Sequence, residues 1–105
     1  MVIFGLKSCD ACRKARKALP DATFVDVRDD GVPPAVLGAA MDSFSDAIVN
    51  TRSTTWREIT EEDRARPPEA LIAIHPTVMK RPLIVVGDQM YLGWTPATRA
   101  ALGVA

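Results

Sequence analysis

Within its first 27 residues the chain changes hydrophobic period twice, and few folds accommodate that. Val2-Ile3-Phe4 is a continuous apolar run closed by Gly5, the pattern of a short buried strand. From Ala11 on, Ala11, Cys12, Ala15, Ala18 and Leu19 recur at helical spacing, while Arg13, Lys14, Arg16 and Lys17 fill the outer face. Pro20-Asp21 stops that helix, and Thr23 to Val27, TFVDV, alternates with β-branched residues as a second strand does. A strand, a helix and a strand in so short a span predict a βαβ unit, whose crossover is right-handed.

The remaining pattern is helical and then returns to strand. Asp29-Asp30-Gly31 reads as a turn, and Pro33-Pro34 opens a helix over much of Ala35 to Val49, broken near Asp42-Ser43. Thr60-Glu61-Glu62-Asp63 resembles a capping-box start, and EALIAIHP, ending at Pro76, reads as a further short helix. After Arg81-Pro82, the run LIVV, the Gly87-Asp88 turn and QMYLGW predict a β-hairpin. Thr95-Pro96 supplies an N-cap and an N1 proline for a last helix through Leu102. The order predicts an α/β architecture, a small mixed sheet flanked by helices.

With 105 residues and 48% apolar content, the expectation is one domain, residues 1–105, burying about two-thirds of its unfolded surface. Thirteen basic residues offset thirteen acidic ones, so global charge predicts neither nucleic acid nor an anionic membrane as partner. The N-terminal stretch lacks the pattern of an export signal, and no apolar run reaches the length of a membrane span. The expected compartment is the cytoplasm, where a cysteine pair serves redox chemistry, catalysis or metal binding more often than as a structural disulfide.

Both cysteines lie in GLKSCDACRKARKAL, Gly5 to Leu19. Cys9 falls at the mouth of the first helix, where unpaired N–H groups and the positive dipole end favour a thiolate, and Lys7 and Arg13 add positive charge nearby. A low-pKa, accessible thiol is a nucleophile. Cys12 lies one turn further on, placed either to resolve an intermediate on Cys9 or simply to fill the core as a small hydrophobe. A zinc site needs two more ligands, and the only histidine, His75, is distant, so no metal is expected. His75 itself reads as structural or solvated before it reads as a general base.

Three blocks in this order, GLKSCDACRKARKAL, IVNTRSTTWREI and VMKRPLIVVGDQMYLGW, resemble the arsenate reductase-like family that includes ArsC enzymes, YffB-type proteins and Spx regulators. The pattern is closest to the YffB-type branch. The resemblance implies a thioredoxin-like fold with a helical insertion, about residues 33–76, between the second strand and the Arg81-Pro82 strand. It implies that Cys9 is the catalytic cysteine, that Pro82 is a cis-proline, and that Arg81 binds an oxyanion or carboxylate, for which its planar fork is suited. It further implies glutathione as cosubstrate with no bound cofactor, and glutaredoxin as a possible partner of a monomeric chain. Arg52 and Arg57 are candidates to bind glutathione; helix capping by Ser53 or Thr54 and surface ion pairs are equally open readings of their block. Trp56 reads as a core anchor.

The chain departs from the reductases at two further arginines: Asp46 falls near one position, and YLGW supplies none at the other. A carboxylate there repels arsenate, so a thiol-containing or other oxyanion substrate is expected more than arsenate itself. The alternative implied by the resemblance is an Spx-like regulator that binds RNA polymerase and senses redox state through both thiols.

Overall fold

Gly5 ends the first strand because no other residue fits there: a Cβ built on it collides with the Cys12 sulfur and lies 3.2 Å from Cys12 Cβ. That close approach seats the first helix against the sheet. The computed structural model describes residues 1–104. They form β1 (Val2–Gly5), α1 (Asp10–Ala18), β2 (Thr23–Asp26), α2 (Val27–Asp30), α3 (Pro34–Phe44), α4 (Thr54–Glu58), α5 (Glu61–Arg64), α6 (Pro68–Ile74), β3 (Leu83–Val86), β4 (Gln89–Leu92) and α7 (Pro96–Ala101). Short 3-10 turns at Ser45–Ile48 and Pro76–Val78 complete the set.

Two compact units result: Met1–Asp26 with the chain from Arg81 on, and Val27–Lys80. The first unit holds the sheet, in the order β2-β1-β3-β4. β1 runs parallel to β2 and antiparallel to β3, and β3 and β4 form the predicted hairpin. One row of partners crosses all four strands, Phe24, Ile3, Ile84 and Tyr91. These side chains share a face because side-chain direction alternates along each strand, and they pack with Ala15 of α1, with Leu19 just after it, and with Trp94 and Leu102. Gly87, at φ 57°, opens the two-residue hairpin turn at the position that favours glycine. α7 starts as expected, with Thr95 Oγ1 accepting from the Thr98 N–H at 3.1 Å.

The second unit is helical. An antiparallel bridge joins its middle to its C-terminal end at Val49 and Met79, with the Lys80 N–H donating to Ile48 O at 2.7 Å and the Asn50 N–H to Val78 O at 2.8 Å. Leu37, Ala40, Ile48, Leu71, Ile72 and Val78 are buried in it. Ser53 and Thr60 cap α4 and α5, accepting from the Trp56 and Asp63 N–H groups. Arg64 chelates Trp56 O through Nε at 3.0 Å and Nη2 at 2.8 Å and lies over the half-buried Trp56 ring.

Three boundaries differ from the sequence expectation. β2 stops at Asp26 rather than Val27, because its neighbour β1 runs out at the Gly5–Asp26 pair; Val27 instead starts α2, fully buried. Asp29-Asp30 is the end of that helix, not a turn. The break predicted near Asp42-Ser43 falls at Ser45, whose φ of 51° reverses the chain into the turn that buries Ile48. The helical unit spans 27–80, and the insertion of about 33–76 that the resemblance implies lies inside it.

Candidate active site

The loop from Leu6 to Cys9 joins β1 to α1, and two hydrogen bonds fix it. The Cys9 N–H donates to Leu6 O at 3.1 Å, and the Lys7 N–H donates to Asp26 Oδ2 at 3.0 Å. Cys9 is the N-cap of α1, with an extended backbone (φ −80°, ψ 125°), and the Arg13 N–H donates to its carbonyl at 2.9 Å. Its side chain closes no cap hydrogen bond, so the Cys12 N–H acts on the sulfur as a nearby dipole end. Both cysteines are free thiols, Cys9 half-buried and Cys12 wholly buried.

The peptide bond Arg81–Pro82 is cis. Pro82 is buried, and its carbonyl accepts from the Gly93 N–H at 2.8 Å, extending the β3–β4 ladder. Arg81, also in the first unit, hydrogen-bonds the Cys9 sulfur.

Two thiols three residues apart are thus driven in opposite directions. Burial pushes the Cys9 thiol up, but the Cys12 N–H, the Cys12 thiol and the Arg81 guanidinium together outweigh it and hold Cys9 below the ordinary value of 9.0. Cys12 is pushed up to about 12, mainly by burial and further by the hydrogen bond and charge of Cys9, against the Leu6 N–H and Arg81. The arrangement favours the thiolate at Cys9 and keeps Cys12 a thiol. Such a pair presents a single nucleophile with a proton donor beneath it.

The charge acting on Cys9 comes from Arg81 rather than from Lys7 and Arg13, the neighbours in sequence. Lys7 is exposed and enters the site through its backbone, while Arg13 is exposed beside Arg16, Lys17 and Phe24. Arg52 and Arg57 belong to the helical unit; both are exposed, and Arg57 Nη2 donates to Arg52 O at 3.4 Å. Asp46 and Trp56 line a cavity of about 280 Å³ in that same unit. His75 pairs through Nε2 with Asp63 Oδ2 at 2.9 Å, a structural contact. Among the described residues no cluster of three histidines, cysteines or carboxylates is placed to hold a metal, and no helix is long and apolar enough to cross a membrane. Sequence reasoning missed Gly5 and Asp26, whose parts depend on which strand lies next to the cysteine loop.

A mixed four-stranded sheet, a cysteine capping the first helix and a cis-proline opening the third strand define a thioredoxin-like protein. Residues 4–102 match the ArsC family, and the chain belongs to that family. It is 33% identical to an uncharacterized protein of Haemophilus influenzae, over 90% of each chain. Among solved structures it resembles a YffB protein, with 28% identity, a TM-score of 0.82, and coverage of 95% of this chain and 96% of that one. An arsenate reductase (ArsC) related protein from Brucella melitensis matches at 28% identity and a TM-score of 0.68, over 95% and 91% of the two chains. At family level the chain stands among arsenate reductase-like, thiol-dependent oxidoreductases.

Proposed function

We propose that the protein is a glutathione-linked thiol reductase of the cytoplasm, working as a monomer, with Cys9 as nucleophile. The observation that carries this reading is the convergence of Arg81 and Cys12 on the Cys9 sulfur, which lowers the pKa of that thiol and favours its reactive form. In the first step the Cys9 thiolate attacks the glutathione sulfur of a mixed disulfide. A Cys9–glutathione disulfide forms, and the substrate thiolate leaves and takes up a proton. A second glutathione thiolate then attacks the glutathione sulfur, releasing glutathione disulfide and restoring the Cys9 thiolate. Arg81 holds the carboxylate or oxyanion of the incoming group and stabilises charge developing at the leaving atom. Glutaredoxin can take the place of glutathione in the second step. Arsenate is the weaker substrate candidate, with Asp46 near one position where the reductases carry an arginine and no arginine in YLGW at the other.

Cys12 supports a second reading. Its thiol lies against Cys9, so a Cys9–Cys12 disulfide, and with it an Spx-like switch that binds RNA polymerase, is geometrically accessible. Against it, a thiol pushed up to about 12, mainly by burial, is a slow attacker. Intact-mass analysis during turnover of cysteine–glutathione mixed disulfide decides between them. The expected species is a Cys9–glutathione adduct that persists in Cys12→Ser and is absent from Cys9→Ser, with turnover abolished only in the latter. An intramolecular disulfide as the sole product, with no turnover, overturns the reductase reading.

A further inference from the structure

We infer that a groove along α1 is a docking surface for an acidic, extended segment of another protein. The groove encloses about 750 Å³ within the sheet-bearing unit, and Asp10, Ala11, Lys14, Lys17 and Ala18 form one wall, with Trp94 and Arg99 opposite. The α1 positions fall on one stripe of the helix, so the groove runs its length, about 12 Å at ~1.5 Å per residue. That length suits roughly four residues of extended chain at ~3.3 Å each. One end of the groove opens at Asp10, the residue after Cys9.

Charge selects the occupant. Three cations face one carboxylate, and that carboxylate, Asp10, is already paired with Lys14 at 3.2 Å. The surplus is local, since the whole chain is neutral. Lys14 and Lys17 rise from one wall and Arg99 from the other, held in place by its Nη1 donating to Trp94 O at 3.2 Å. An extended peptide sends successive side chains to opposite sides, so alternate carboxylates meet the lysines and the arginine in turn. Its apolar side chain rests on Ala11, Ala18 and the Trp94 edge. A compact anion would need donors that converge on one point, and these are spread along a rim where Lys14 is 67% exposed. Single-stranded nucleic acid would need free aromatic faces for stacking, and Trp94 packs into the sheet core instead.

The inference does not depend on thiol chemistry, so the test uses full-length Cys9→Ser protein. Fluorescence anisotropy at low ionic strength follows a labelled Glu-Glu-Leu-Glu-Glu peptide, with Lys-Lys-Leu-Lys-Lys, oligothymidylate and phosphatidylglycerol vesicles as competitors. The acidic peptide is expected to bind, to shift the Trp94 indole NMR signal, and to weaken about fivefold in Lys14→Glu and further in Lys14→Glu/Lys17→Glu. Arg16→Glu removes the same charge from the Phe24 side of α1, where Arg16 lies over the ring, and is expected to change binding by less than about twofold. Lack of binding, an equal loss in Arg16→Glu, an unmoved Trp94 signal, or stronger binding of the oligonucleotide or vesicles each overturns the proposal.

Discussion

The two compact units use the same kinds of residue to opposite ends. In the sheet-bearing unit, ionisable groups from distant segments meet: Cys9, Cys12 and Arg81 lie up to 72 positions apart by number, and Arg81 acts on both thiols, the half-buried Cys9 and the buried Cys12. In the helical unit the comparable cluster, Asp63, His75 and Arg66, is half-exposed and local, spanning positions 63–75, and its effect is to tie short helices together. Seven basic residues face four acidic ones in the first unit, and six face nine in the second. In the first unit Arg81 and Cys12 overcome the burial that opposes a Cys9 thiolate; in the second, charge paired near solvent is merely cohesive.

Removing the cation beside Cys9 should have the largest effect on this contrast. Arg81→Ala is expected to slow mixed-disulfide turnover on the order of a hundredfold. It should also move the midpoint of iodoacetamide alkylation at Cys9 upward, because the guanidinium is one of the groups holding that thiol below 9.0. An unmoved alkylation profile would show that the Cys12 dipole alone governs Cys9.

Packing in the same unit comes next. Gly5→Ala places a methyl group against the Cys12 sulfur and should cost about 1–3 kcal/mol in urea unfolding. The penalty should shrink in Gly5→Ala/Cys12→Ala, where the sulfur is gone; an additive double variant would mean that the strain lies elsewhere.

The helical unit should respond more mildly. Thr60→Ala removes the 3.1 Å cap to the Asp63 N–H and should cost about 1 kcal/mol by the same measurement. The smallest effect belongs to the Asp63 cluster. Hydrogen bonds from His75 and Arg66 hold the Asp63 carboxyl below its ordinary 3.8. Its contribution is therefore fully present above pH 3.8 and is lost as pH falls through the lower folded value. Acid-unfolding curves of wild type and Asp63→Asn should converge at the acid end; curves that stay parallel would show that the cluster adds no linkage.

Much of this architecture was legible in the residues because it is local. The N-cap position of Cys9, the caps at Ser53, Thr60 and Thr95, the glycine-opened hairpin and the period of α1 each involve atoms within about four residues of one another. Positions depending on a neighbour in space read less well, as when β2 ended with its partner strand and the helix break slid to Ser45. The site divides in the same way. By itself the sequence determined that Cys9 caps a helix and that Cys12 follows one turn later on the buried face. Only the tertiary structure decided which charge reaches the sulfur: Lys7 and Arg13 are exposed and do not act on it, whereas the strand order brings Arg81 onto the half-buried Cys9.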